Sequence, residues 1–346
     1  MKPVSGNIQL LYADLLQSCL RSAAPNGRGL SFVKKKIGGK IHWYLQLTVG
    51  SRKTQHYLGP DSKELQDKMA REKSLWKEAA PDVRERQKLV SALAAGGAYT
   101  VSTGETRVLE ILERAGVFLV GGTLIGSQAF RVLGNMLGVI WDSQATTTQD
   151  IDIADINILP VGLKNQSVDL QTSLLESELG IFAVPALDRK SPSTSFKVRN
   201  EALQVDVLTP LQGKASSKPV LLKNLNTFAQ PLRFLDYLLE DIQPAVVVAK
   251  SGILLNVPTP ARYAFHKMIT ASRRSTYWQS KTGKDIRQAQ QLFAALLDLR
   301  PGDIVIAWEA VQKQQPAFKK AVKQSWKKLG GEIQQRLADE ADIVVR

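Results

Sequence analysis

Three aspartates set in β-forming sequence constrain this chain more than any other feature. Asp150-Ile151-Asp152-Ile153 alternates acid with aliphatic residue, and Leu203-Gln204-Val205-Asp206-Val207-Leu208 embeds a third acid among strand formers. Side chains alternate across a strand, so Asp150 and Asp152 share one face while Ile151 and Ile153 anchor the other in a core. An acid among apolar neighbours needs a partner, and three carboxylates in one pocket repel one another unless cations fill the space between them. Hard oxygen donors of this kind select Mg²⁺. Upstream, the apolar run Phe118-Leu119-Val120 enters Gly121-Gly122-Thr123 and continues toward Ser127. Glycines let backbone amides approach a phosphate closely, and a helix N-terminus behind them adds partial positive charge. Thr123 or Ser127 then offers a hydroxyl to a phosphate oxygen. Taken alone, Gly-Gly is also an ordinary tight turn. Together with the three acids it points to a metal-dependent phosphoryl-transfer site. Asp155 reads as a cap or turn residue.

Competing phosphate-binding patterns are missing. The third glycine of the dinucleotide fingerprint is absent, and no Gly-Lys-Ser/Thr follows the glycines as in a P-loop. Cys19 is the only cysteine, which excludes an internal disulfide framework and a cysteine-based zinc site. The 46 Lys and Arg residues outnumber the 32 Asp and Glu residues, for a net charge of +14. Around an acidic pocket, that surplus points to a polyanionic partner, and nucleic acid is the expected one. No apolar run is long enough to span a bilayer, and the N-terminus lacks the pattern of a signal peptide, so no membrane partner and a cytoplasmic location are expected.

Along the chain, residues 7–21 have helical periodicity, with Leu10, Leu11, Leu15, Leu16 and Leu20 on one face. Pro25-Asn26-Gly27-Arg28-Gly29 breaks that helix. A β meander follows over 30–36, 41–49 and 52–58, turning at Gly38-Gly39 and Gly50-Ser51. Two helices are predicted over 61–78 and 81–95, then a joint at Ala94-Ala95-Gly96-Gly97. The middle of the chain alternates helix and strand. It reads as helix 107–115, strand 117–120, helix 122–137, strand 139–141, a Thr/Gln-rich turn and strand 150–153. Helix 170–179, strands 196–198 and 203–208 and a β pair at 245–249 and 253–256 complete a mixed α/β unit, and helices follow from Pro258-Thr259-Pro260 onward. The expected organisation is a helix–meander–helix region over 1–96, a catalytic unit over 97–257 and a helical region over 258–346.

The set Gly-Gly…Ser, Thr-x-Asp-Ile-Asp-Ile and Val-Asp-Val-Leu resembles the nucleotidyltransferases of the DNA polymerase β superfamily. The resemblance implies an α/β (α+β) nucleotidyltransferase fold with a short mixed sheet, and an NTP as donor substrate. It implies Asp150 and Asp152 as ligands of two Mg²⁺ ions, and Asp206 as ligand of the catalytic one. Gly121, Gly122 and Ser127 would form the triphosphate cradle. The interval between Gly-Gly and the Asp pair is longer here than in polymerases, which resembles the minimal, toxin-like abortive-infection branch. That branch carries a helix lysine and then a Lys-Asp pair after its core, and the matching positions are Lys267 and Lys284-Asp285. By the resemblance Lys267 touches the triphosphate, Lys284 adds charge, and Asp285 orients a lysine or joins the active centre. Lys267 as a solvated helix lysine and Asp285 as a cap are the competing readings. The same branch implies RNA, with the tRNA 3′ end preferred, as acceptor, and an antitoxin protein as a partner. Transfer to a small molecule or a protein is the alternative, as is a non-catalytic nucleic-acid-binding or regulatory protein on the same fold.

The meander combines Lys34, Lys35, Lys36, Tyr44, Arg52 and Lys53. Basic and aromatic groups on a small sheet resemble the DNA-binding arm of phage-type integrases and make these residues candidate nucleic-acid contacts. Packing of the same sheet on the neighbouring helices is the plainer reading.

Overall fold

A computed structural model describes residues 1–21, 30–49, 52–142, 150–156, 168–186, 188, 190–214, 216–274 and 279–345. The expected break at Pro25–Gly29, the Gly50-Ser51 turn and the Thr/Gln-rich turn before Asp150 lie outside the described residues. The same holds for the side chains of Arg52 and Lys53.

The chain opens with a short strand β1 (Lys2–Pro3) and helix α1 (Gly6–Arg21). The meander follows as β2 (Leu30–Ile37), β3 (Lys40–Val49) and β4 (Arg52–Pro60), an antiparallel sheet in that order. Helix α2 (Lys63–Ala95) then runs unbroken through Pro81, where two helices were expected. A mid-helix proline removes one backbone hydrogen bond, and the Ala-, Glu-, Lys- and Arg-rich flanks favour helix strongly enough to carry it.

Helix α3 (Thr103–Arg114) begins four residues earlier than the predicted 107–115, because Ser102 and Glu105 form a reciprocal capping box. Residues 117–120 are turn, not strand; the strand is β5 (Thr123–Ile125), followed at once by α4 (Gly126–Leu137). Next come β6 (Val139–Ile140), β7 (Ile151–Ala154), α5 (Leu170–Leu175), β8 (Ile181–Ala183), β9 (Ser195–Val198) and β10 (Gln204–Pro210). Beyond them lie β11 (Val220–Leu222), β12 (Thr227–Leu232), α6 (Leu235–Leu239) and the hairpin β13 (Ile242–Val247) with β14 (Ile253–Pro258). Helices α7 (Pro260–Arg273), α8 (Gln279–Leu299), α9 (Pro301–Gln312), α10 (Pro316–Trp326) and α11 (Gly331–Ala341) finish the chain.

The central seven-stranded sheet has the order β11-β12-β10-β7-β5, with β9 pairing β10 and β8 pairing β9. It is mixed: β10 runs parallel to β7 and β12, while β5 is antiparallel to β7. This is a mixed sheet of the kind the sequence resemblance implied. One apolar core joins the sheet to α3, α4 and the C-terminal helices, and includes Leu109, Phe130, Ile153, Val205, Phe265, Phe293 and Phe318. A smaller cluster packs Tyr12 and Leu15 of α1 and Leu93 of α2 against Val246 and Val248. Tyr12 both donates to the Val246 carbonyl at 3.0 Å and accepts from its amide at 3.1 Å, so packing crosses residue 96. Among the described residues no helix is long and apolar enough to cross a membrane.

Candidate active site

Strand register builds the site. Asp152 on β7 lies opposite Asp206 on β10, Asp206 opposite Ser195 on β9, and Ile125 on β5 opposite Asp152. A row across four strands therefore carries two of the three acids, and Asp150 stands just before β7. The burial alternates as the sequence requires: Ile151, Ile153, Val205 and Val207 are buried, while Asp152 and Asp206 are half-buried on the opposite face.

Asp150, Asp152 and Asp206 open into a cavity of about 600 Å³. Its far wall is cationic, formed by Lys267 and Arg274 and by Lys281, Lys284 and Arg287 of α8. Leu208, Leu232, Leu235 and Leu238 supply an apolar side. Asp285 is the hinge of the cationic wall: only 2% exposed, it accepts from Lys267 Nζ at 3.2 Å and from Arg274 Nε at 2.6 Å. Lys267 is itself buried and stands 5.1 Å over the Tyr263 ring. Neither Lys267 nor Asp285 is a solvated surface residue. Lys284 Nζ donates 2.9 Å to Ser127 Oγ, which ties α8 to the first turn of α4.

Electrostatics follow from this geometry. Burial pushes the Asp152 carboxyl up to about 6, with the charge of Asp206 as the next cause, and Asp150 is raised for the same two reasons. Burial pulls Lys284 down to about 8, aided by the neighbouring Lys267 ammonium. Burial acts on Lys267 in the same direction, but Tyr263 and Asp285 more than offset it and hold its charge firmly. His266, also in the lining, is driven down to about 4 by desolvation and so stays neutral, with no part as a cation.

The glycine-rich turn that the resemblance assigned to the triphosphate stands away from the cavity. Gly121 and Gly122 do not line the cavity, and neither does Thr123. They form a compact turn in which the Gly122 amide donates to the Val117 carbonyl and Thr123 Oγ1 donates to the Gly121 carbonyl. Asn224 Nδ2 holds that turn by donating to Val120 O and to Asp155 Oδ2, and Asn256 Nδ2 donates to Phe118 O and Gly122 O. Asp155 is buried as the anchor of this turn, a structural role. The glycine at the cavity is Gly126, which has φ +64; a Cβ built there would lie 1.8 Å from Asp152 Oδ2. Ile125 gives α4 no side-chain cap, so its first-turn amides beside Ser127 take no bond from the capping residue's side chain. Tyr263 donates its hydroxyl to the Gly126 carbonyl and braces the loop.

The sequence pattern also passed over the support of Asp206. Ser195 Oγ and Gln204 Nε2 both donate to its Oδ1, the latter at 2.8 Å. Among the described residues no hydrogen-bond donor reaches Asp206 Oδ2. Ser195 gave no signal because it lies in a Ser/Thr-rich stretch, Ser191-Pro192-Ser193-Thr194-Ser195, where any hydroxyl looks alike.

A family model described as nucleotidyltransferase matches residues 104–313, more than half of the chain. The chain belongs to this nucleotidyltransferase family. No curated protein and no solved structure matches it. The matched span starts in α3 and ends just past α9, so it contains every residue of the cavity described above. The nucleotidyltransferase presents three hard carboxylate donors on neighbouring elements, which is donor chemistry suited to Mg²⁺. Among the described residues, however, no group of three or more His, Cys, Asp or Glu side chains is gathered closely enough to hold a metal as it stands. Asp150 and Asp152 are raised first by burial and then by the charge of Asp206, both of which a bound cation would offset.

Proposed function

We propose that this nucleotidyltransferase moves an NMP from an NTP to a hydroxyl of RNA, with the tRNA 3′ end as the preferred acceptor. The observation that carries the reading is the facing arrangement in one cavity: three aspartates on the sheet against five cations on α7, α8 and the segment between them. A triphosphate would lie between the two walls, its charge met by Lys267, Arg274, Lys281, Lys284 and Arg287 and by the positive end of the α4 dipole. Asp150, Asp152 and Asp206 are the residues that would hold Mg²⁺, which when bound neutralises charge on the transferring phosphoryl group. Asp206, fixed through one oxygen by Ser195 and Gln204, keeps the other for the attacking hydroxyl. That hydroxyl displaces pyrophosphate from the α-phosphorus in line, and the site residues align the two.

The cavity lining has five basic groups, Lys267, Arg274, Lys281, Lys284 and Arg287, against four acids, Asp150, Asp152, Asp206 and Asp285. A polycationic acceptor such as an aminoglycoside meets no surplus of negative charge there, whereas a polyanion suits both the lining and the net charge of +14. The spacing of Lys267 and Lys284-Asp285 favours the toxin-like branch, with an antitoxin as partner, and in this reading residues 97–257 supply the acidic wall of the site and residues 258–346 its cationic wall. Incubation with each α-labelled NTP, Mg²⁺ and either bulk tRNA or an aminoglycoside mixture tests it. Label on the tRNA alone is expected; label on the small molecule alone contradicts the acceptor assignment.

A further inference from the structure

The reaction leaves the three-stranded sheet β2-β3-β4 without a task. Residues 30–60 carry six basic side chains, Lys34, Lys35, Lys36, Lys40, Arg52 and Lys53, and no acid. The register separates the two faces of this sheet. Phe32 and Trp43 belong to the face turned toward α2: Lys73 Nζ of that helix stands 5.8 Å over the Phe32 ring, and Trp43 Nε1 donates 2.7 Å to Asp61 at the helix entry. Val33, Lys35, His42, Tyr44 and Tyr57 share the opposite face, where Val33 pairs with Tyr44, Lys35 with His42 and Tyr44 with Tyr57.

That second face is an ordered aromatic surface open to water. Tyr44 and Tyr57 have ring centroids 5.3 Å apart, Lys35 Nζ sits 4.7 Å over the Tyr44 ring, and His42 Nδ1 lies 2.9 Å from the Tyr57 hydroxyl. Tyr57 is nonetheless 56% exposed. Beside it, Gln55 Nε2 donates 2.8 Å to Gln46 Oε1, leaving amide groups for a further partner. Rings held in place by their neighbours lose little additional freedom when something stacks on them. Cations without a single acid among them select a polyanion, and exposed rings select flat π-systems. A single-stranded polynucleotide offers both, whereas the bases of a duplex are already stacked and paired.

We propose that the Tyr44–Tyr57 face is a stacking platform for single-stranded RNA, with Lys35 and Lys40, which share that face in the register, meeting the phosphates. The choice of RNA rests on the proposed acceptor; the platform names where that acceptor's chain is held away from the reacting hydroxyl. The test is fluorescence anisotropy of the full chain with a labelled short single-stranded RNA, without NTP. Replacing both rings, Tyr44→Ala with Tyr57→Ala, is expected to weaken binding at least about tenfold, and Tyr44→Phe with Tyr57→Phe to retain it. Lys35→Gln is expected to lower the salt slope by about one phosphate contact. Asp152→Asn should bind RNA like the parent while losing transfer; transfer retained by Asp152→Asn with binding intact overturns the proposed reaction and leaves the platform standing. Unchanged binding by the double alanine variant, with its fold verified by circular dichroism, overturns the platform. So does tighter binding of duplex RNA, or of single-stranded DNA of the same sequence, than of single-stranded RNA.

Discussion

Two glycine turns lie five residues apart, and each presses against a carboxylate from the same stretch of chain. A Cβ on Gly121, at φ +107, would meet Asp155 Oδ2 at 3.4 Å, while one on Gly126, at φ +64, would meet Asp152 Oδ2 at 1.8 Å. Locally the two resemble each other. They differ in what else the carboxylate touches. Asp155 is buried and takes an amide from Asn224, so its charge serves to hold a loop. Asp152 faces Asp206 across the sheet and a cationic wall across the cavity, and its pKa rises to about 6. What sets the Gly126 turn apart is what it borders, an acidic row facing a cationic wall, and the glycines alone do not decide the matter.

Substitution at the two glycines breaks or sharpens that contrast most strongly. Gly126→Ala drives a methyl group into Asp152 and is expected to lower nucleotidyl transfer by roughly 100-fold, since misplacement of a reacting group by about 1 Å costs that much. Gly121→Ala should leave transfer per folded molecule within about twofold while lowering stability by about 1 kcal/mol or more, because alanine is strained at positive φ. Urea melts alongside initial rates separate the two effects. Equal loss of rate in both variants would erase the distinction.

The acids give the next effect. The raised carboxyl of Asp152 contributes stability that is complete below its unfolded value near 4 and is lost as pH rises through about 6. With chelator present, the parent should therefore lose up to about 2 kcal/mol between about pH 4 and pH 7, allowing for the partial exposure of the group. Asp152→Asn should lose less over that range, the remainder coming from Asp150 and from Glu113, both also raised by burial, and should be the more stable of the two at pH 8. Adding Mg²⁺ at pH 8 should then stabilise the parent alone. Asp155→Asn, by contrast, should destabilise the protein at every pH in this range and leave its Mg²⁺ response unchanged.

A smaller difference is expected between the two sets of supporting hydrogen bonds. Ser195→Ala removes one of the two donors to Asp206 Oδ1 and should cost roughly tenfold in turnover, with the pH–rate profile displaced and Ser195→Thr restoring much of it. Asn224→Ala removes the donor to Asp155 and should cost about 1–3 kcal/mol of stability with turnover unchanged. An unmoved pH profile in Ser195→Ala would reduce that hydroxyl to a packing role.

Much of the sheet was legible because a period of two is hard to mistake. Ile151, Ile153, Val205 and Val207 are buried as the alternation of the two acidic strands requires, which leaves Asp152 and Asp206 side by side. The meander and the hairpin of β13 and β14 were readable for the same reason, with shifted ends. The first site turn was misread because Phe118-Leu119-Val120-Gly121-Gly122 is the longer and more apolar run, whereas the true strand is only Thr123-Leu124-Ile125. In the fold Val120 and Phe118 are buried in a turn whose carbonyls are satisfied by Asn224 and Asn256, 104 or more residues onward; no local pattern carries that information. Lys267 and Asp285 were visible only through resemblance, since their burial and pairing depend on how α7 packs against α8.

The account stands or falls on whether the aspartate-lined cavity transfers a nucleotidyl group. Pyrophosphate release from NTP by the parent and by Asp152→Asn, with Mg²⁺ and tRNA present, measures it directly. The parent is expected to release pyrophosphate in step with label entering RNA, and the variant to release at least roughly 1,000-fold less while remaining folded. Equal release by the two proteins, or release of inorganic phosphate in place of pyrophosphate, would contradict it.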